Sequence, residues 1–237
     1  MIAGPPAGGK TLLALDYALR AQLPTLYISA DTDSFTMIGR GAARLMATTV
    51  GDIENQINAG DTNDIEQVLD EDMDHIRWSF DPSPTLDDID AEICAFDEMW
   101  GMPPELLIID SLYNVTAESE NEWTAMREIS KALHHIARTS EAAVIILHHT
   151  SEAEGKPSEP AARKAIQGKV AQLPELILTV AMDAFNGLYR VAAVKNRSGP
   201  ADPTGKTYTT LHVDPSRMLL SDSKSEIANA QMRGQWQ

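Results

Sequence analysis

The segment Gly4-Pro5-Pro6-Ala7-Gly8-Gly9-Lys10-Thr11 fits the pattern G-x-x-x-x-G-K-[ST] at every fixed position. Such a turn aims successive backbone N–H groups into one concavity, and its glycines permit the backbone angles and close approach that a phosphate chain needs. Lys10 has the reach and charge for the β- and γ-phosphates of a nucleoside triphosphate, and the Thr11 hydroxyl is a hard oxygen ligand for Mg²⁺. Residues 11–20 carry apolar side chains at three- and four-residue spacing, which predicts a helix whose positive dipole end lies under the phosphates. The positions expected to bind ATP are therefore Gly4, Pro5, Pro6, Ala7, Gly8, Gly9, Lys10, Thr11 and Leu12. Ala7 stands where many such loops carry glycine. A chance glycine turn before a core helix is the alternative, and the agreement of loop, lysine, hydroxyl and helix argues against it. Only Met1-Ile2-Ala3 precede the loop, where a full buried strand is expected. Either that strand is very short or residues upstream of it are absent.

The rest of the chain alternates strand and helix patterns. Strands are expected at 25–30, 76–80, 106–109, 142–147, 176–181, 188–195 and 207–213, and helices at 11–20, 35–46, 85–100 and 118–139, with one or two acidic helices between 52 and 74. Thr85 is the expected cap of the helix at 85–100. This alternation implies a three-layer α/β/α domain over residues 1–220, with a mostly parallel sheet and antiparallel C-terminal strands. Residues 221–237 read as a polar tail, and 151–160 as a loop rich in Gly, Pro and Glu. No apolar run approaches the roughly 20 residues that span a bilayer, and no signal peptide is visible. Cys94, the sole cysteine of the 237 residues, reads as a buried thiol in a reducing cytoplasm. The formal net charge of −16 opposes broad non-specific binding to nucleic acid. The charge is uneven, however: acidic residues crowd 51–97, whereas Lys156, Arg163, Lys164, Lys169, Arg190, Lys195, Arg197 and Lys206 lie later.

Four further features carry chemistry. The apolar run Leu106-Leu107-Ile108-Ile109 delivers Asp110 at its C-terminal end, the Walker B pattern, whose carboxylate would hold Mg²⁺ opposite Thr11. Asp31, in Ser29-Ala30-Asp31-Thr32-Asp33, could orient an attacking water, while Asp33 caps the next helix; either aspartate could instead serve only as a cap. His149, in Leu147-His148-His149-Thr150, leaves another buried strand and could sense the γ-phosphate, with a structural histidine as the alternative. The two histidines lack a third ligand at metal-site spacing, so zinc is not expected. Lys195 and Arg197 lie one residue apart before Gly199-Pro200. They could reach phosphates in the same chain or across a subunit boundary, or form an ordinary solvated turn.

Taken in this order, these motifs resemble the RecA-fold ATPases, especially RadA-like proteins and the motor of DnaB-like helicases. The resemblance covers about residues 1–213 and implies the RecA-like P-loop NTPase fold, ATP hydrolysis with Mg²⁺, a ring or filament of identical subunits, and action on single-stranded DNA in recombination or replication. It gives Asp31 the role of catalytic acid, where the family usually has glutamate, and His149 that of sensor. It makes Lys195 and Arg197 a finger in the neighbour's site, and places DNA on the loops at 113–121 and 151–169, with Lys156, Arg163, Lys164 and Lys169. In that arrangement the acidic 51–97 region faces outward, and the setting is a bacterial or phage-infected cytoplasm. Two other readings remain open: a nucleotide-dependent annealing module with little turnover, and a KaiC-like switch acting on proteins.

Overall fold

The computed structural model describes residues 1–117, 119, 121–151 and 158–233, with the backbone alone at Lys169 and Arg233. Among the described residues, nine strands form one sheet in the order β3-β2-β4-β5-β1-β6-β7-β8-β9. They are β1 (Ile2–Gly4), β2 (Thr25–Ser29), β3 (Ile76–Ser79), β4 (Leu106–Asp110), β5 (Ala143–His149), β6 (Leu176–Asp183), β7 (Leu188–Asn196), β8 (Thr209–Asp214) and β9 (Leu219–Ser221). Strands β3 to β6 in that order pair in parallel, and β6 through β9 pair antiparallel, as the sequence pattern implies. Within the first strand, Ile2 and Ala3 pair on both sides, with Leu147 and His148 of β5 and with Leu178 and Thr179 of β6.

The helices are α1 (Lys10–Ala21), α2 (Ser34–Met46), α3 (Val50–Ala59), α4 (Asn63–Asp72), α5 (Leu86–Trp100), α6 (Glu122–Thr139) and α7 (Lys224–Arg233). Strand alternation sorts the apolar side chains into two cores. Leu106 and Ile108 of β4 join Leu12, Leu15 and Leu19 of α1 on one face. Leu107 and Ile109 join Ile89 and Phe96 of α5 and Ile129 and Leu133 of α6 on the other. A parallel strand covered on both faces is apolar throughout, which is why 106–109 is an unbroken apolar run.

The ends of the helices follow local chemistry. Asp33 accepts from the Thr36 backbone N–H at 3.0 Å and so caps α2. Thr85 and Asp88 form a reciprocal capping box at the start of α5. Three expectations need correction. Cys94 is exposed, because it lies off the Ile89–Phe96 stripe that α5 buries. The helix read from 118 begins at Glu122, after the Asn121 cap. The segment read as a tail from 221 carries a helix: α7 docks through Gln231, whose side-chain amide donates to Asp214 at 2.8 Å, just after β9 extends the sheet. The 151–160 loop falls largely on residues outside the description.

Candidate nucleotide site

Parallel pairing brings four strand ends to one edge. Gly4 of β1 lies opposite His149 of β5, and Ser29 of β2 lies opposite Asp110 of β4. The backbone N–H groups of Ala30 and Asp31 both donate to the Asp110 carbonyl, at 2.7 and 3.1 Å, which fixes Asp31 beside Asp110. A cleft of about 780 Å³ opens at this edge, and Lys10, Thr11, Asp31, Asp110 and His149 all line it. That volume lies within the range of sites that hold small ligands and cofactors.

The loop is shaped for close approach. Gly9 sits at φ 83° and Ala7 at φ 56°, so Ala7 adopts the left-handed backbone that glycine takes without steric penalty. A β-carbon on Gly9 would meet the Tyr189 ring at 2.5 Å. Tyr189 is fully buried, and its hydroxyl donates to the Gly9 carbonyl at 2.9 Å. Helix α1 has no side-chain cap, which leaves the N–H groups of its first turn, through Leu12, for a ligand.

The charged groups interlock. The Thr11 hydroxyl donates to Asp110 Oδ2 at 2.8 Å, and the buried Tyr27 hydroxyl donates to the same oxygen at 3.1 Å. Burial pushes the Asp110 carboxyl above its ordinary range, and the Thr11 and Tyr27 hydrogen bonds oppose that rise. Lys10 donates to the carbonyls of Gly4 and Pro5 at 3.2 and 3.0 Å. Burial lowers its pKa, against the pull of Asp110 and Asp31. Burial, and then Lys10, lowers that of His149, with Asp31 opposing. A hydroxyl and a carboxylate held 2.8 Å apart are the oxygen pair that suits Mg²⁺. With the glycine cradle and Lys10, the residues present fit a magnesium nucleotide.

The structure separates other expected residues from this cleft. Lys195 lies opposite Ile177, at the start of β6, and lines a second concavity with Arg197, Arg163 and Lys164. No lining residue is shared between the two, and neither Lys195 nor Arg197 lines the first cleft. Lys156 and the Lys169 side chain lie outside the described residues.

Several lining residues escaped the sequence reading. Arg40 of α2 and Thr49, Val50 and Gly51 close one wall, and Met182, Pro215, Ser216 and Met218 another. Arg40 had a usable signal, since it falls one helical turn beyond Thr36, on a helix that starts beside Asp31. Its one hydrogen bond among the described residues is a long contact to Met37 Sδ at 3.9 Å. Tyr189 and the 215–218 turn come from remote segments and carry no local signal.

A triphosphate-shaped loop, a Walker B aspartate and this strand order define a P-loop protein with a RecA-like fold. The sequence matches the family described as an AAA domain over residues 1–155, and the protein belongs to that family. It is 30% identical over 230 residues to the Gene 65 protein of Mycobacterium phage L5, covering 94% of this chain and 85% of the relative. The Gene 65 protein of Mycobacterium phage D29 is 31% identical, with 94% and 98% covered. In fold the chain is similar to a separately solved ATPase domain, with TM-score 0.77, 16% identity and 94% of this chain and 84% of that one covered. A DnaB-like replicative helicase gives TM-score 0.78 at 16% identity, with 93% of this chain spanning 57% of that one. The RadB recombinase gives TM-score 0.56 at 16% identity, with 94% and 89% covered. No helix among the described residues is long and apolar enough to cross a membrane.

Proposed function

We propose that this protein binds and hydrolyses ATP and acts on single-stranded DNA in recombination or replication, as an assembly of identical subunits. The observation that carries the reading is the 2.8 Å bond between Thr11 and Asp110, at the sheet edge where Asp31 and His149 also line the cleft. The backbone N–H groups of the loop and of the first turn of α1 hold the phosphates. Lys10 leaves the Gly4 and Pro5 carbonyls to meet them, and Thr11 and Asp110 hold Mg²⁺. When bound, the ion offsets phosphate charge and polarises the terminal anhydride. Asp31 accepts the proton of the attacking water as the new P–O bond forms and the bond to the ADP oxygen breaks. His149 stands where a change at the terminal phosphate reaches β5.

Lys195 and Arg197 serve a neighbour's nucleotide; that they do not line this chain's own cleft supports the reading. The cations around Arg163 and Lys164 suit a phosphate backbone read without regard to sequence. The likeness to a replicative helicase and a recombinase in fold, and to phage proteins in sequence, supports a role on DNA in the cytoplasm of an infected host. The test is ATP turnover with and without single-stranded DNA, for the wild type, Lys10→Ala and Arg197→Ala. Turnover stimulated by DNA and lost in both variants is expected; no binding or stimulation at low salt ends the reading. One feature favours the annealing alternative: Asp31 is one methylene shorter than glutamate. Strong DNA binding with negligible turnover, rescued by Asp31→Glu, would select it.

A further inference from the structure

The second concavity has a volume of about 930 Å³ and is lined by five cations: Arg163, Lys164, Lys195, Arg197 and Lys206. In a chain with a net charge of −16, such a concentration runs against composition, and like charges held together are self-repelling. The concavity is nevertheless built, not a chance of loose side chains. Gly205 sits at φ 72°, and a β-carbon there would meet the carbonyls of Pro160 and Ala161 at 2.8 Å each. Only glycine lets the 203–206 turn press this closely on the segment that leads to Arg163. The Arg163 N–H donates to the Pro203 carbonyl at 2.9 Å, which locks the two segments together. Asp202, the nearest acid in that turn, spends its carboxylate on the N–H groups of Thr204 and Thr207, at 2.9 and 2.8 Å, and not on Lys206. Lys195 donates to the carbonyls of Ala171 and Gln172 at 3.1 and 2.7 Å. Arg197 pairs with Glu175. The pKa of Lys195 is lowered by burial and then by Arg197, with Arg163 adding to this and Glu175 opposing it, so the cations sense one another.

We infer that this concavity is one binding site for a linear chain of phosphates, in which Lys206 and Arg163 act together with Lys195 and Arg197. The inference deepens the proposed function and rests on it for the source of the phosphates. Two sources share that chemistry: a single-stranded nucleic acid, and the triphosphate held by a second copy of this protein. The cations come from three segments with no aromatic platform among the lining residues, which suits contact to phosphates and not to bases.

The probe for the site itself is inorganic polyphosphate added to a Lys10→Ala chain, whose own loop is disabled. Binding is expected, and Lys206→Gln or Arg163→Gln in that background should each weaken it about 5-fold at about 0.1 M salt, the loss of one phosphate contact at a slope of about 0.7. No binding, or equal binding by all three chains, overturns the inference whatever the fate of the proposed function. Two further assays identify the source. If it is a strand, each substitution takes about 0.7 from the slope of log K against log salt for single-stranded DNA. If it is a neighbour's triphosphate, turnover at high protein concentration falls and the DNA slope stays. Wild-type behaviour of both variants in both assays also overturns the inference, even where wild-type turnover and DNA binding uphold the proposed function.

Discussion

Replacing Gly9 by alanine tests whether the loop is held by Tyr189. Gly9 lies in the left-handed region at φ 83°, and the added carbon would stand 2.5 Å from a Tyr189 ring carbon. The backbone contributes about 1 kcal/mol and overpacking against a fully buried ring about 1–3 kcal/mol, so Gly9→Ala should destabilise by roughly 2–4 kcal/mol. At this length each kcal/mol is about 2–4 °C, so thermal unfolding followed by circular dichroism without nucleotide should shift down by roughly 5–15 °C. Tyr189→Phe retains the ring and loses only the bond to the Gly9 carbonyl, so the alanine increment should be nearly the same in that background. Tyr189→Leu removes the ring edge, and there the increment should fall to about 1 kcal/mol, the backbone share alone. A single variant within about 2 °C of the wild type, or equal increments in the leucine and wild-type backgrounds, would refute the reasoning.

Arg40→Ala should raise the KM for ATP about 10-fold, the loss of one charge-assisted contact, with little change in unfolding temperature, because no carboxylate among the described residues pairs with it; an unchanged KM removes Arg40 from the site. Tyr27→Phe withdraws a donor from Asp110 and should cost about 1–3 kcal/mol near neutral pH. The sign of its pH dependence follows from the carboxyl: its folded-state pKa is raised above 3.8, so the folded state binds more protons above that pH and stability falls as pH rises through the window. Losing the donor raises that pKa further, so denaturant titrations should show a cost that grows as pH rises above the ordinary carboxyl value of 3.8; a constant cost would contradict this. Finally, Asp31 opposes the lowering of the His149 pKa from 6.5, so Asp31→Asn should lower it further in an NMR titration, and a rise would count against their proximity.

Local signals made much of this protein legible. Period-2 and period-3.6 patterns, the Thr85 and Asp33 caps and the unbroken run at 106–109 act over a few residues, and a sequence displays them directly. The loop, Asp110, Asp31 and His149 were legible for the same reason, since each lies at the end of a recognisable strand. Contacts between remote segments were not. Nothing near Tyr189 says that its hydroxyl reaches Gly9, and nothing in 203–206 says that the turn presses on 160–161. Cys94 misled because an apolar stripe fixes which face of α5 is buried only when its phase is read from Ile89 and Phe96. The polar composition beyond 220 concealed a helix held by the Gln231–Asp214 and Ser221–Glu226 bonds and by one buried apolar side chain, Ile227, too few apolar positions to make a stripe.

Strand β7 joins two places that chemistry would otherwise leave independent. Near its start Tyr189 grips the phosphate loop, and near its end Lys195 and Arg197 enter the basic concavity, about 20 Å away at about 3.3 Å per residue. Between them the strand is clamped on one flank by β6 along most of its length, with Ala192 wholly enclosed. A bulkier residue at Ala192 would line neither concavity, yet by shifting this strand it would disturb both of its ends at once.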